Sequence, residues 1–196
     1  MRGFPVLAFA LVATTAFAQD SVYVGIGAGS FDYQENFVSP IIGQVADEVS
    51  VTKLLGGFQF NDHFALEMNI ARTHQIRQFG TENVPPFGDV SDSLSMDLTI
   101  TSLRALGQLP FDWGVLLAGL GYFSSENDFS ETLSADCCET VVDSGSFGDD
   151  GFTTVLGLEW RFGRFGTRYG IRLEYEWWDL SGTDTSAVGI GVSYGF

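Results

Sequence analysis

Large apolar side chains alternate with glycine and charged residues, one for one, along several segments of this chain. From 168 to 177 one face would carry Tyr169, Ile171, Leu173, Tyr175 and Trp177, and the other Arg168, Gly170, Arg172, Glu174 and Glu176. A two-residue period is the mark of a β-strand with two unlike faces. The same split parts Leu156, Leu158, Trp160 and Phe162 from Val155, Gly157, Glu159 and Arg161. It parts Phe64, Leu66, Met68 and Ile70 from Ala65, Glu67, Asn69 and Ala71, and Val188, Ile190, Val192, Tyr194 and Phe196 from Ala187, Gly189, Gly191, Ser193 and Gly195. Glycine shares its face with the charges, which suits a crowded interior, whereas the bulky apolar side chains need room outside. Apolar-out, polar-in strands belong to a barrel whose surrounding solvent is lipid. The longest apolar run, Phe4 to Ala13, has ten residues, short of the roughly 18–20 a membrane helix needs.

Eight strand segments follow from this pattern, over 21–33, 48–60, 63–78, 93–109, 112–125, 151–162, 167–180 and 185–196. Their connections alternate in length. Asn61-Asp62, Pro110-Phe111 and Gly163 to Gly166 are short, whereas 34–47, 79–92 and 126–150 are long, with 181–184 between them. Tight turns at one end and mostly long loops at the other suit an up-and-down meander better than the mixed connections of a soluble sandwich. Leu98 and Ile100 fall out of phase with Leu103, Ala105 and Leu109, so a β-bulge is expected near Ser102. Aromatics gather beside the short turns and chain end: Phe58, Phe60, Phe64, Phe111, Trp113, Trp160, Phe162, Phe165, Tyr169, Tyr194 and Phe196. A second group, Phe31, Tyr33, Tyr122, Phe123, Phe152, Tyr175, Trp177 and Trp178, would make the opposite girdle. Trp and Tyr favour a membrane–water boundary, where the ring is buried and its polar edge stays wet.

Residues 1–18 have the layout of a secretory signal peptide. Arg2 is the basic start, Phe4 to Val12 the apolar core, and Ala16-Phe17-Ala18 the cleavage site, leaving 19–196 as the barrel domain. With 25 acidic and 9 basic residues the full chain carries a net charge of −16. So acidic a chain offers no basic face for phosphates, which excludes nucleic acid as a partner.

The segments Tyr23 to Gly29, Gly57 to Glu67, Gly157 to Phe162 and Tyr169 to Tyr175 resemble the small outer-membrane β-barrel family of OmpA/OmpX-type and opacity-type porin-like proteins. The last strand ends on Val192, Tyr194 and Phe196, similar to the terminal-aromatic signal read by the barrel-assembly machinery in that family. The resemblance implies an all-β fold, an eight-stranded antiparallel up-and-down transmembrane β-barrel in the outer membrane of a Gram-negative bacterium. It implies a monomer set in outer-membrane lipid and lipopolysaccharide, with both termini in the periplasm. The partner of the outer loops stays open.

Some barrels of this size modify lipid A, which would need a serine nucleophile with a histidine beside it. The two histidines do not supply one: His63 lies in a short turn, and His74 near the rim has no serine two residues away on its face. No catalytic, cofactor or metal motif emerges. Gly25 to Gly29 lacks the spacing of a phosphate loop. Residues 126–150 hold eight acids and no base but no EF-hand, so they read as a solvated acidic loop, with calcium as the weaker alternative. The adjacent Cys137 and Cys138 allow a vicinal bridge, an intermolecular bond or two idle thiols.

The inward faces place Glu67, Arg104, Glu159, Arg161, Arg172, Glu174 and Glu176 together, with Lys53 and Arg168 nearer the ends. Eight strands enclose a lumen that side chains can fill, and near-balanced charge points to pairing across it. The expected role is a structural or surface-interacting barrel with acidic outer loops and a plugged polar interior. Replacing Arg172 with Ala should then raise conductance. A narrow porin-like channel is the runner-up, and a lipid-modifying enzyme comes third.

Overall fold

The structure is a computed structural model that describes residues 21–39, 43–85, 88–135, 137–162, 168–180 and 183–196. The signal-peptide segment lies outside them, as do the Gly163–Gly166 turn with Phe165, and the side chain of Tyr33. In chain order the strands are β1 (Ser21–Ser39), β2 (Gly43–Asn61), β3 (Phe64–Thr73), β4 (Ile76–Val84) and β5 (Gly88–Phe111). Then follow β6 (Gly114–Ala135), β7 (Cys138–Phe162), β8 (Arg168–Leu180) and β9 (Thr183–Gly195). Every pairing is antiparallel between chain neighbours, except that β1 also pairs with β9 and β3 with β5. Because β3 reaches β5 directly, the ladder closes on itself through eight strands, with β4 as the outer continuation of β3. Closure leaves no open edge within the barrel wall, the condition for backbone in lipid.

The break between β3 and β4 has a local cause. Arg72 pairs with Thr99 and Ile76 with Met96, so three residues on one strand face two on the other. The Thr73 hydroxyl accepts the Leu98 N–H at 3.1 Å where the ladder lapses, and His74 N–H reaches the Ser50 carbonyl at 2.8 Å. This extra residue is the bulge. It lies at His74–Gln75 and not near Ser102, where β5 runs without a register shift against both β3 and β6.

Leu98 and Ile100 are therefore in phase with Ser102 and Arg104, and all four point inward and are buried. The apolar phase changes because the interior itself changes, not because the strand slips.

The long connections also differ from expectation. Residues 79–84, 88–92, 126–135 and 138–150 are paired strand, with Gly80 opposite Asp92 and Asp128 opposite Ser146. Their Ser and Thr, with Phe129 and Phe147, suit a pleated ribbon, and the described carboxylates are exposed or half-buried on it, apart from the buried Asp92. The tight turns sit one or two residues later than expected, at Asp62–His63 and Asp112–Trp113. Asn61 closes the first of them, its side-chain oxygen accepting His63 N–H at 2.8 Å and Phe64 N–H at 3.0 Å. Gly88, at φ 78°, opens β5 after the β4–β5 hairpin, a conformation that side chains rarely allow.

The outer wall is apolar on every strand around the closed ladder. Val24, Leu54, Met68, Leu103, Leu120 (69% exposed), Leu156, Leu173 and Ile190 all face outward. A continuous exposed band of this kind is untenable in water and normal in lipid. At the turn end an aromatic belt runs along it: Phe111–Trp113 (5.9 Å between centroids), Trp113–Trp160 (6.4 Å), Phe162–Tyr169 (6.1 Å), Tyr169–Tyr194 (5.2 Å) and Tyr194–Phe196 (5.9 Å). At the hairpin end Tyr122, Phe152 and Trp177 face outward, but Phe31, Phe123 and Trp178 do not; they are buried inside.

Candidate functional site

Inward-facing positions of eight strands meet in a lumen built of two kinds of filling. Charged side chains from β2, β3, β5, β7 and β8 form one connected network. Arg172 donates to Glu67 at 2.6 Å, to Glu159 at 2.9 Å and to Glu174 at 3.0 Å. Arg104, with 0% of its side chain exposed, pairs with Glu67 and with Glu176. Lys53 closes the ring by pairing with both Glu174 and Glu176. Arg161 sits at the edge of the group, donating to Glu159 at 2.7 Å and to Gln108 at 3.1 Å. The seven inward residues named from sequence thus lie in one cluster, within which each carboxylate meets at least one cation. Unpaired, such charges would cost several kcal/mol each in a dry interior.

Two members were not legible as members. Lys53 had been assigned nearer an end, but the strand tilt carries it against β8. Tyr23 donates its hydroxyl to Glu67 at 2.9 Å and lies under the Arg172 guanidinium, 5.6 Å from ring centre. Its parity with Gly25 and Gly27 was the available signal. The space for these long side chains comes from the facing glycines: a Cβ on Gly57 would lie 2.2 Å from the Tyr23 ring, and one on Gly170 2.8 Å from a Glu159 oxygen.

Toward the hairpin end the filling turns apolar. Phe31, Val49, Val51, Ala71, Ile76, Leu94, Met96, Leu98, Ile100, Phe123, Trp178 and Ala187 pack into one buried cluster. On β2, β3, β5 and β8 these residues lie beyond the charged ones, so they cap the network. Phe31 and Trp178 meet at 5.4 Å between ring centres. A plugged polar interior was expected; the observed one is charged below, with a smaller apolar cluster of Leu55, Ala65, Leu106 and Val155 beside the charges, and apolar above.

Beyond the cap, β4 to β7 continue as a four-stranded sheet outside the closed ladder. β8 pairs with β7 only from Thr153 onward, so residues 141–150 of β7 have no paired strand on their far side among the described residues. Among the described residues this sheet carries Glu82, Asp89, Asp92, Asp97, Glu126, Asp128, Glu131, Glu139, Asp143, Asp149 and Asp150, against one base, Arg77. Glu131, Asp92 and Asp143 converge across three strands. Burial, then the Asp92 carboxylate and its hydrogen bond, then Asp143 push the Glu131 carboxyl above its ordinary range. Cys137, at the tip of the β6–β7 hairpin, is disulfide-bonded.

His63 and His74 serve the backbone: their Nδ1 atoms face the carbonyls of Gln108 at 3.2 Å and Ser50 at 3.4 Å. At the other terminus Val192, Tyr194 and Phe196 point outward, and Phe196 N–H bonds to the Val22 carbonyl at 3.0 Å.

A family model described as the outer membrane protein beta-barrel domain matches residues 4–196. Among solved structures, Ail of Yersinia pestis in complex with the heparin analogue sucrose octasulfate is similar at 17% identity and a TM-score of 0.55, with 91% of this chain and 99% of that chain covered. Neisserial surface protein A gives 12% identity and a TM-score of 0.50 over 88% and 95%. The N-terminal barrel domain of Pseudomonas aeruginosa OprF gives 13% and 0.50 over 91% and 98%. At these identities the likeness speaks for the fold alone. Comparison by sequence with curated proteins gives no match.

Proposed function

The chain belongs to the outer-membrane β-barrel domain family and resides in the outer membrane of a Gram-negative bacterium, and from that premise we propose that it is a sealed, non-catalytic barrel displaying an acidic β-sheet outside the cell. The observation that carries the first half is the double filling of the lumen. Ions meeting the paired network would also have to cross the apolar layer of Phe31, Leu98, Phe123 and Trp178, whose one polar group, the Trp178 indole N–H, cannot replace their hydration shell. Among the described residues each histidine has its Nδ1 on a backbone carbonyl and neither ring bonds to a serine hydroxyl, which favours the non-catalytic reading over the lipid-modifying one. Purified protein in planar bilayers should give no steady channels; large, stable ones would establish the porin reading instead.

The second half rests on charge and on the open side of β7. Unpaired strand edges accept extended segments by backbone hydrogen bonding, and the carboxylates here favour a cationic one. Sucrose octasulfate, held by Ail, is a polyanion; the sheet described here has the opposite preference. A cationic peptide should bind reconstituted barrel in a salt-sensitive way, and replacing Asp128, Asp143 and Asp150 with Asn should weaken that binding. Equal binding by the neutralised variant would refute it.

In this reading the short turns and both ends of the mature chain are periplasmic, residues 1–18 are removed on export, and a monomer sits among lipid and lipopolysaccharide. The assembly machinery would read Val192, Tyr194 and Phe196. In a variant lacking native cysteines, single cysteines at Ser91 or Ser146 should label on intact cells and one at Asp62 should not. Labelling at Asp62 would invert the orientation.

A further inference from the structure

We propose that the turn end of the lumen binds a phosphate group, in a hollow between Arg161 and Arg168. Ser21, Gln59, Arg161, Arg168, Gly170 and Ser193 line this hollow, with Arg172 of the buried network in its wall. Its volume is about 20 Å³. One water-sized atom needs roughly 10–15 Å³, so the hollow seats one or two oxygen atoms and leaves the rest of a ligand in the open mouth.

Strand register places the two arginines side by side. Arg161 of β7 stands opposite Gly170 of β8, and Arg168 lies two residues before Gly170 on the same face. Diagonal neighbours of this kind are roughly 7–8 Å apart. Gly170 puts no side chain between them. On the far side of β8, Gly170 meets Ser193 and Arg168 meets Gly195 of β9, the strand that closes the seam with β1. A Cβ on Gly170 would lie 2.3 Å from the Ser193 hydroxyl oxygen, so that hydroxyl leans over the gap.

Charge selects an anion. The buried network is even, with Lys53, Arg104 and Arg172 against Glu67, Glu174 and Glu176. Glu159 lines the hollow too, but its two oxygens are held by Arg161 and Arg172. Asp62 and Asp112 stand in the tight turns and do not line it. Arg161 uses Nε on Glu159 and Nη2 on Gln108, which leaves Nη1. Arg168 is exposed and makes no hydrogen bond or ion pair among the described residues. One guanidinium therefore lacks a counter-charge, beside another with a donor to spare.

The donor set narrows the anion further. A tetrahedral oxyanion can accept from Arg161, Arg168 and Ser193 from three directions, and the guanidinium fork matches phosphate oxygens. A halide has a single centre, and a planar carboxylate has only two oxygens. Two arginines fall far short of the basic face a nucleic acid needs, but they suffice for one phosphate. Phe162, Tyr169 and Tyr194 belt the outer side of the same strands, at the height where lipid headgroups lie. With the turns in the periplasm, inorganic phosphate and inner-leaflet headgroups both come within reach. Only the source of the phosphate rests on that orientation; the site does not.

The test uses full-length mature barrel, ¹⁵N-labelled and refolded in a nonionic maltoside detergent that carries no phosphate. Inorganic phosphate is added at neutral pH and constant ionic strength while the arginine Nε–H resonances are followed. Arg161→Gln and Arg168→Gln, checked for folding by gel mobility without boiling, assign the two; Arg→Lys at the same positions serves if either folds poorly. Both resonances should move together and saturate with one Kd, whereas Arg77, exposed at the opposite end, should not. Each Gln replacement should raise the Kd read at the remaining arginine by at least about fivefold, as loss of a charged hydrogen bond requires. Shifts that never saturate, or that match those at Arg77, would overturn the proposal. So would acetate binding as tightly as phosphate. Nanodiscs containing phosphatidylglycerol then separate the sources. Resonances already displaced in the disc and indifferent to added phosphate would assign a lipid headgroup, and titration unchanged from detergent would assign free phosphate.

Discussion

Arg172→Ala separates a buried ionic lock from an ornamental one. The side chain is 3% exposed and reaches three carboxylates, those of Glu67, Glu159 and Glu174, at 2.6–3.0 Å. Truncation strands none of them completely. Glu67 keeps Arg104 and the Tyr23 hydroxyl, Glu159 keeps Arg161, and Glu174 keeps Lys53. The interior is nevertheless left one negative charge in excess and with a cavity the size of a guanidinium. Removing one partner of a buried pair costs about 3–5 kcal/mol. Arg161 is the internal control: its side chain is 21% exposed and holds one carboxylate, so Arg161→Ala should cost under about 1 kcal/mol. Urea unfolding of barrel refolded into lipid vesicles, followed by tryptophan fluorescence, measures both. Equal losses for the two variants would refute the lock. Conductance discriminates further. From sequence, loss of Arg172 was expected to open the lumen; with the apolar layer stacked above the network, Arg172→Ala in planar bilayers should stay closed. Steady channels from that variant would mean the layer does not seal.

Gly29→Ala should lower the yield of folded barrel, because its Cβ would lie 2.1 Å from the Val188 carbonyl oxygen, a backbone atom that cannot step aside; overpacking of this kind costs about 1–3 kcal/mol. Gly189→Ala, across the same seam, should refold normally, and matched yields for the pair would sink the steric argument. The raised Glu131 carboxyl binds its proton more tightly in the folded sheet than in an unfolded segment. Its contribution to stability is therefore present below the ordinary carboxylate range and lost as pH rises through the raised value. Amide protection in the β6–β7 ribbon, corrected for intrinsic exchange rates, should fall over that interval, and Glu131→Gln should flatten the response. Deleting Phe196 removes an exposed outer ring and a backbone bond to Val22, and should slow insertion; unchanged kinetics of folding into vesicles would count against an anchoring role.

Which way each wall residue points was written in the sequence, because a strand in lipid must turn apolar side chains outward one position in two. Glu159, Arg172, Glu174 and Glu176 declared themselves inward by parity with glycine, Glu67 by standing opposite the apolar face of its strand, and the short turns set the order of the meander. Parity speaks of faces, however, and not of height or of partners. It made Leu98 and Ile100 look like a slip and Phe31, Phe123 and Trp178 like a girdle, since an apolar residue facing a lumen and one facing lipid have the same composition. Only closure of the sheet decided between them. The stagger of tilted strands set Lys53 against Glu174 and Glu176, gathered residues up to 123 positions apart into one network, and raised the apolar layer above it. The acidic segments 79–92 and 126–150 were read as loops because charge usually marks solvent. Backbone pairing with a neighbouring strand needs no apolar face, so the tertiary ladder, and not local pattern, made them a sheet.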